Sequence, residues 1–139
     1  MVVDHIGYVV RDIEKARHEF GVLGYEFEDL IEDFDRNIYI LFGDNGNIRI
    51  ELIQTMNTEK SSPVREILRK NGPTPYHICY KTDDMEADIQ KLKFQKWLLT
   101  NPPRLAVAFA KEGGGGVKVA FLMHRQIGMI ELVEKHNKN

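Results

Sequence analysis

One short pattern occurs twice in the chain and strongly limits the folds it can adopt. His-Ile-x-Tyr, followed at fixed spacing by Asp and Glu, starts at His5 and again at His77 in a protein of 139 residues. Each copy lies in a short apolar, β-prone run and leads into an amphipathic segment, 13–23 in the first case and 85–94 in the second. Self-similarity of this kind indicates a duplicated unit. The alternative is a chance likeness between two strand-to-helix turns.

The order of predicted elements is the same in both halves. Alternating and β-branched residues predict the strands, and helical spacing predicts one helix after the first strand of each half, with Asp12 as a suitable N-cap. The predicted strands are 2–10, 25–31, 37–42 and 48–53 in the first half and 75–81, 97–100, 117–123 and 129–133 in the second. Each half therefore has the order β-α-β-β-β, which predicts an α+β fold of two paired modules.

The module boundaries follow from a polar join in the middle of the chain. Ser61-Ser62-Pro63 is typical of a helix start, and Asn71-Gly72-Pro73 of a helix stop. We predict a single domain, with module 1 at about 1–55, a linker helix at about 56–74 and module 2 at about 75–135. The segment 101–116 fits this scheme least well, because it contains two prolines and four glycines. Its glycines indicate a mobile loop and a candidate lid over a site; a strand extension is the alternative.

Composition excludes several classes of function. Hydrophobic residues make up 42% of the chain and charged residues 29%, an ordinary soluble balance for one domain. A net charge of −2 gives no field for binding nucleic acid or an anionic membrane. One cysteine excludes an intrachain disulfide and fits a reducing compartment. No stretch resembles a signal peptide or a membrane span. We expect a cytoplasmic protein.

Each half offers one histidine and one glutamate at matching places. His5 and His77 lie in the first strands, and Glu51 and Glu131 lie in the last, each inside a repeated Ile-Glu-Leu triplet. A carboxylate within an apolar strand needs a partner, because desolvating it alone is costly. If the halves pair around a pseudo-twofold axis, the histidines can face one cleft. Two imidazoles and two carboxylates suit zinc, nickel, cobalt, iron, manganese or magnesium.

Taken singly, each of these residues has an ordinary structural explanation. A strand histidine is more often a core or surface residue, and a strand glutamate usually faces solvent. The repetition of all four at matching places favours a metal site over that explanation. Cys79 shares a strand face with His77, but we predict a small buried thiol. For His124, in the turn before the last strand, we predict loop hydrogen bonding and not ligation.

These residues carry a resemblance to a known family. The segments Asp4–Ile6, Ile50–Leu52, His77–Tyr80 and Ile130–Val133 resemble the vicinal oxygen chelate superfamily (glyoxalase/bleomycin resistance/dioxygenase), whose β-α-β-β-β modules pair to form a metal-binding cleft. Within it the chain is most similar to the methylmalonyl-CoA epimerases, through Ser62-Pro63, Leu68–Asn71 and Val119–Leu122 among others. The glyoxalase I enzymes share the four ligand positions one for one.

The resemblance implies a site and a reaction. A divalent metal would be held by His5, Glu51, His77 and Glu131, and would stabilise the enolate formed when a proton leaves a carbon next to a carbonyl. Glu131 would also act as the base, as in glyoxalase I. Counting back from Glu51 places Asp35, with Glu32 nearby, at about the position of the epimerases' second acid/base. The implied substrate is a small thioester or hemithioacetal, and the superfamily often forms homodimers.

Several alternatives stay open from the sequence. A lactoylglutathione lyase is the nearest, although only Arg11 and Gln54 stand near the positions that bind glutathione in glyoxalase I. A non-catalytic small-molecule-binding relative is another. An iron dioxygenase usually presents two histidines and one glutamate, so a fourth ligand at Glu51 argues against it.

Overall fold

The protein is described from a computed structural model, which covers residues 1–109 and 116–135. Within these ranges the chain forms nine strands and three α-helices. The strands are β1 (Val3–Val9), β2 (Glu26–Phe27), β3 (Ile31–Asp33), β4 (Ile38–Asp44), β5 (Arg49–Thr55), β6 (Thr74–Thr82), β7 (Leu98–Leu105), β8 (Lys118–His124) and β9 (Gly128–Glu134). The helices are α1 (Ile13–Val22), α2 (Arg65–Asn71) and α3 (Met85–Phe94), with a short 3-10 helix at Val107–Phe109.

The chain divides into two compact units with the same strand connections. The first unit is residues 5–76, and the second is residues 1–4 together with the described residues of 77–135. In the first unit β2 and β3 both pair antiparallel with β4, β4 pairs antiparallel with β5, and β5 lies parallel to β1. In the second unit β7, β8 and β9 pair antiparallel in turn, and β9 lies parallel to β6. In each unit, therefore, the first and last strands of the module are parallel neighbours.

The helix that follows the first strand begins in the same way in both units. The Asp12 carboxylate accepts a hydrogen bond from the Lys15 backbone N–H at 3.0 Å, and Asp84 accepts one from Ala87 N–H at 3.0 Å. These contacts satisfy N–H groups that the first turn of a helix leaves without a backbone acceptor. The predicted N-cap at Asp12 is confirmed.

A second repeated contact ties each helix to the last strand of its module. Ile13 N–H donates to Gln54 Oε1 at 2.8 Å, and Met85 N–H donates to Glu134 Oε2 at 2.9 Å. Both acceptors stand three residues after the glutamate of the Ile-Glu-Leu triplet. The helices are thereby fixed against equivalent points of β5 and β9.

The apolar core of each unit lies under its helix, on one face of the strands. In the first unit this core comprises Val10, Ile13, Leu41, Ile50 and Leu52, and in the second Met85, Ile89, Ala120, Leu122, Ile130 and Leu132. Because successive side chains of a strand point to opposite faces, the glutamate between each isoleucine and leucine points away from the helix. That face of each unit carries the buried glutamate together with apolar side chains such as Phe42 and Phe121.

The predicted fold class and the order β-α-β-β-β are confirmed, with two differences in the strands. The predicted strand at 25–31 is split into β2 and β3, which pair with different parts of β4. Residues 101–105, expected to form a loop, continue β7, which pairs only with β8 among the described strands. Register shifts between Leu99 and Arg104 accommodate Pro102 and Pro103, since a proline costs little where no second strand needs its N–H.

The join between the halves also differs from the expectation. Helix α2 begins at Arg65, after Pro63, and continues to Asn71 within the first compact unit. Most of the glycine-rich part of the proposed lid, residues 110–115, lies outside the described residues. In the part of the chain that is described, no helix is both long and apolar enough to cross a membrane.

The cap at Asp12 yields a stability prediction. Replacing Asp12 by Ala removes the acceptor for Lys15 N–H, so we expect the free energy of unfolding to fall by about 1 kcal/mol. Asp12→Asn retains a side-chain oxygen and is the control, with an expected change below about 0.5 kcal/mol. Urea denaturation monitored by circular dichroism measures both. An Asp12→Ala protein as stable as the wild type would contradict the role of the cap.

Candidate functional site

The first unit brings together the histidine and the glutamate that its sequence singled out. Strands β1 and β5 pair with Gly7 opposite Glu51, so His5, two residues before Gly7, lies on the same face as the glutamate. His5 Nε2 is 3.7 Å from Glu51 Oε1. Both residues are buried, with 0% and 4% of their surface exposed. We call this pair the first half-site.

The second unit repeats the arrangement at the same register. Strands β6 and β9 pair with Cys79 opposite Glu131, and His77 stands two residues before Cys79. His77 Nε2 is 3.7 Å from Glu131 Oε2, and each residue is 4% exposed. This pair is the second half-site. The duplication seen in the sequence therefore extends to the spacing of these side-chain atoms.

An aromatic ring supports the histidine in each half-site. Phe42 on β4 lies opposite Glu51 and contacts His5 edge to face, with ring centroids 5.4 Å apart. Phe121 on β8 lies opposite Glu131 and contacts His77 in the same geometry at 5.6 Å. The phenylalanines limit the orientations open to the imidazoles. Sequence reasoning missed them, although each stands on the strand that pairs with its Ile-Glu-Leu strand.

The two half-sites have the donor chemistry and the spacing of metal ligands. A separation of 3.7 Å is longer than an ordinary N–H···O hydrogen bond. Two ligands held about 2.1 Å from one ion at tetrahedral or trigonal angles lie roughly 3.4–3.6 Å apart. Imidazole nitrogen and carboxylate oxygen are both ordinary ligands of divalent transition metals. Each His–Glu pair therefore fits the part of a metal site that the sequence assigned to it.

Asp35 is the expected second acid/base. Unlike the residues of the two His–Glu pairs, it is not buried. It is exposed in the turn between β3 and β4. The buried carboxylate of this segment is Asp33, which is 4% exposed and accepts a hydrogen bond from Arg36 N–H at 3.1 Å. Asp33 pairs with Ile38 and so lies on the same face of the sheet as Phe42. In the sequence, the alternation of side chains along a strand that begins at Ile31 could have placed Asp33 on this face.

The remaining sequence candidates have structural roles. Cys79 is fully buried, as predicted for a small thiol. His124 accepts a hydrogen bond from Gln126 N–H at 3.1 Å through Nδ1, which confirms the expected loop contact. Gln54, considered as a weak stand-in for a glutathione-binding residue, holds the start of α1. The polar residues of the repeated pattern therefore separate into helix anchors and half-site residues.

Comparison with protein-family models identifies the class of protein. Residues 4–121 match the model of the Glyoxalase/Bleomycin resistance protein/Dioxygenase superfamily. The chain belongs to this superfamily. The match includes His5, Glu51 and His77. It ends before Glu131, whose position opposite Cys79 is given by the pairing of β6 with β9. A search among curated proteins finds no significant match.

Solved structures of the same fold include methylmalonyl-CoA epimerases. The hypothetical protein BH1468 from Bacillus halodurans C-125 is 26% identical, with a TM-score of 0.79 over 99% of this chain and 96% of that one. Methylmalonyl-CoA epimerase from Mycobacterium tuberculosis is 22% identical, with a TM-score of 0.79 over 98% and 89% of the two chains. A Streptomyces coelicolor methylmalonyl-CoA epimerase variant in complex with 2-nitronate-propionyl-CoA is 22% identical, with a TM-score of 0.76 over 99% of both chains. At these identities the two epimerases establish a shared fold.

Proposed function

We propose that the chain is a metal-dependent enzyme that moves a proton at a carbon next to a carbonyl, as a methylmalonyl-CoA epimerase does. The observation that carries the proposal is the buried His–Glu pair, present in both units at one register and with one spacing of 3.7 Å. Burying ionisable groups is costly unless they meet a compensating charge. Membership of a superfamily that includes metal-dependent epimerases supports the same conclusion.

The proposed ligands are His5, Glu51, His77 and Glu131. They supply two imidazole nitrogens and two carboxylate oxygens, a set suited to Zn²⁺, Ni²⁺, Co²⁺, Mn²⁺ or Fe²⁺. That the two half-sites share one ion is part of the proposal. The equal register and spacing of the two half-sites support this part of the proposal. If each module supplies two ligands, the duplicated chain supplies the four ligands of one ion.

The proposed chemistry uses the same residues. When bound, the ion held by these residues would supply Lewis-acid stabilisation of the negative charge that develops at the carbonyl oxygen as the α-proton leaves. Glu131 would take that proton as the base, and a second acid on the opposite face of the carbon would donate one, as inversion at that carbon requires. Asp35 is the proposed second acid/base; because it lies in an exposed turn, this role requires the turn to close on the substrate. Phe42 and Phe121 contact His5 and His77 edge to face and hold the imidazoles in orientation.

The proposed substrate is a small acyl thioester, and a lactoylglutathione lyase-type reaction is the second candidate. The second candidate is favoured by the carboxylate at Glu51, since the glyoxalase I enzymes present the same four ligand types in the same order. Both reactions remove a proton next to a carbonyl, and the substrates differ in the group carried on sulfur. Homodimerisation and a cytoplasmic location stay predictions.

Metal binding is the first test. Metal-free protein supplied with Zn²⁺ or Ni²⁺ should bind one ion per chain, and at a free concentration of 100 times Kd the free energy of unfolding should rise by about 2.7 kcal/mol. Loss of a residue that hydrogen-bonds a metal ligand weakens metal binding roughly 10–100-fold. Loss of a ligand itself should cost more, so we expect a larger decrease in metal affinity in His5→Ala and in His77→Ala. Elemental analysis, calorimetry and thermal unfolding measure these effects.

The matched control for these variants is His18→Ala. His18 is an exposed histidine on α1, and its removal should leave stoichiometry and affinity unchanged. Equal metal affinity in His5→Ala, His77→Ala and His18→Ala would contradict the ligand assignment. A small-molecule binder without four protein ligands would also give this result.

Proton exchange is the second test. The metal-loaded protein in deuterium oxide should incorporate deuterium at the α-carbon of methylmalonyl-CoA, while methylglyoxal–thiol adducts assayed in parallel should be converted slowly or not at all. Glu131→Gln should lower the exchange rate by about 10²–10⁴-fold, the usual contribution of a general base. Asp35→Asn should lower the exchange rate by at least about tenfold, whereas Asp83→Asn, which changes an exposed aspartate of the second unit, should leave the rate unchanged.

The outcomes separate the candidates. Conversion of the thiol adducts without exchange into methylmalonyl-CoA would support the lyase and overturn the epimerase. Full turnover by Glu131→Gln would remove Glu131 as the base. Inactivity of the loaded protein toward both substrates would favour a non-catalytic binder.

A further inference from the structure

A cation lies beside the first half-site. Arg49 stands two residues before Glu51 on β5, so the two side chains share a strand face. The Arg49 guanidinium carbon is 4.0 Å from the centroid of the Phe42 ring, and that ring contacts His5. The Arg49 side chain is 19% exposed. A positive charge is therefore packed against the half-site and still accessible from solvent.

One contact of Arg49 is with an aromatic ring, and another is with an exposed carboxylate that can be exchanged. The guanidinium carbon lies over the Phe42 ring, and the paired N–H groups of an arginine match a carboxylate in two-point contact. Arg49 Nη2 is also 3.3 Å from Glu28 Oε2. The Glu28 side chain is 66% exposed, and exposed ion pairs contribute little to stability. An incoming carboxylate can replace Glu28 at small cost.

The second unit shows that the fold does not require a cation at this point. Its Ile-Glu-Leu triplet is preceded by Met129, the counterpart of Arg49. Met129 pairs with Met123 on the neighbouring strand, whereas Arg49 pairs with Asp44. The same register thus carries charged residues in one unit and thioethers in the other. An uncharged residue therefore occupies this register position in the second unit, so the duplicated module does not by itself dictate an arginine there.

We infer that Arg49 binds a carboxylate of the substrate close to the reacting carbon, an inference that rests on the proposed function and deepens it. Phe42 pairs directly with Glu51, and the Arg49 guanidinium carbon lies 4.0 Å from the centroid of the Phe42 ring, so the cation is close to a ligand bound at Glu51. That distance suits a carboxylate on the acyl group, or one of glutathione, better than a phosphate at the far end of coenzyme A. Arg49 would select acids over uncharged analogues.

Paired probes that differ in a carboxylate test this inference. Calorimetric titration of the metal-loaded protein would use racemic methylmalonyl-CoA and propionyl-CoA, then S-methylglutathione and N-acetyl-S-methylcysteamine. Arg49→Met, which copies the second unit, should weaken the carboxylate-bearing member of at least one pair by about 10–100-fold, the loss of a charge-assisted hydrogen bond. The other member should change by less than about threefold. Arg49→Lys should be intermediate, since it keeps the charge and loses the two-point contact.

Arg17→Met is the matched control. It also removes a guanidinium that lies over an aromatic ring, Phe27 at 6.0 Å, but from the exposed surface of α1. It should change no affinity. Equal losses on both members of each pair would assign Arg49 to another anion, such as a phosphate, and overturn the inference. Unchanged affinities, or a wild-type protein that binds none of the probes, would also overturn it.

Proton exchange in the same samples keeps this test separate from the proposed function. A selective loss in Arg49→Met without exchange in the wild type supports the carboxylate contact and contradicts the enzyme assignment. Proton exchange in the wild type with no selective loss of affinity in Arg49→Met supports the enzyme assignment and contradicts the carboxylate contact. Metal content and thermal unfolding of each variant identify any effect on folding.

Discussion

The parallel pairing of the first and last strands in each module is the constraint on which the rest of the structure depends. It places Gly7 opposite Glu51 and Cys79 opposite Glu131, so that each glutamate shares a face with the histidine two residues upstream. A slip of one residue would turn every side chain of the strand to the other face. The helix contacts of Gln54 and Glu134 and the apolar cores beneath the helices hold the register against such a slip.

Duplication gives two equivalent half-sites, and residues that differ between the units make the surroundings of these half-sites different. Both units place a small residue opposite the glutamate and a phenylalanine against the histidine. Arg49 and Met129 break the equivalence at one register position. The first half-site therefore has a cation beside it at a position where the second unit has an uncharged thioether.

The sequence predicted those parts of the site that repetition makes visible. The histidines and glutamates recur with their neighbours, so His-Ile and Ile-Glu-Leu identify them without knowledge of the pairing. Phe42 and Phe121 were missed because strand register depends on hairpin length: the β4–β5 hairpin has four residues between Asp44 and Arg49, and the β8–β9 hairpin has three between His124 and Gly128. The extension of β7 through residues 101–105 was only the alternative interpretation of this segment, because its glycines favoured a loop. Among the described strands β7 pairs with β8 alone, and this position accommodates its two prolines.

X-ray absorption spectroscopy of the zinc-loaded protein can show whether the two proposed half-sites bind one divalent ion. We expect two imidazole nitrogens and two carboxylate oxygens at about 2.0–2.2 Å from each ion. The imidazole count should fall to one in either His5→Ala or His77→Ala. A wild-type spectrum with a single imidazole, or one that the two variants leave unchanged, would contradict the shared site.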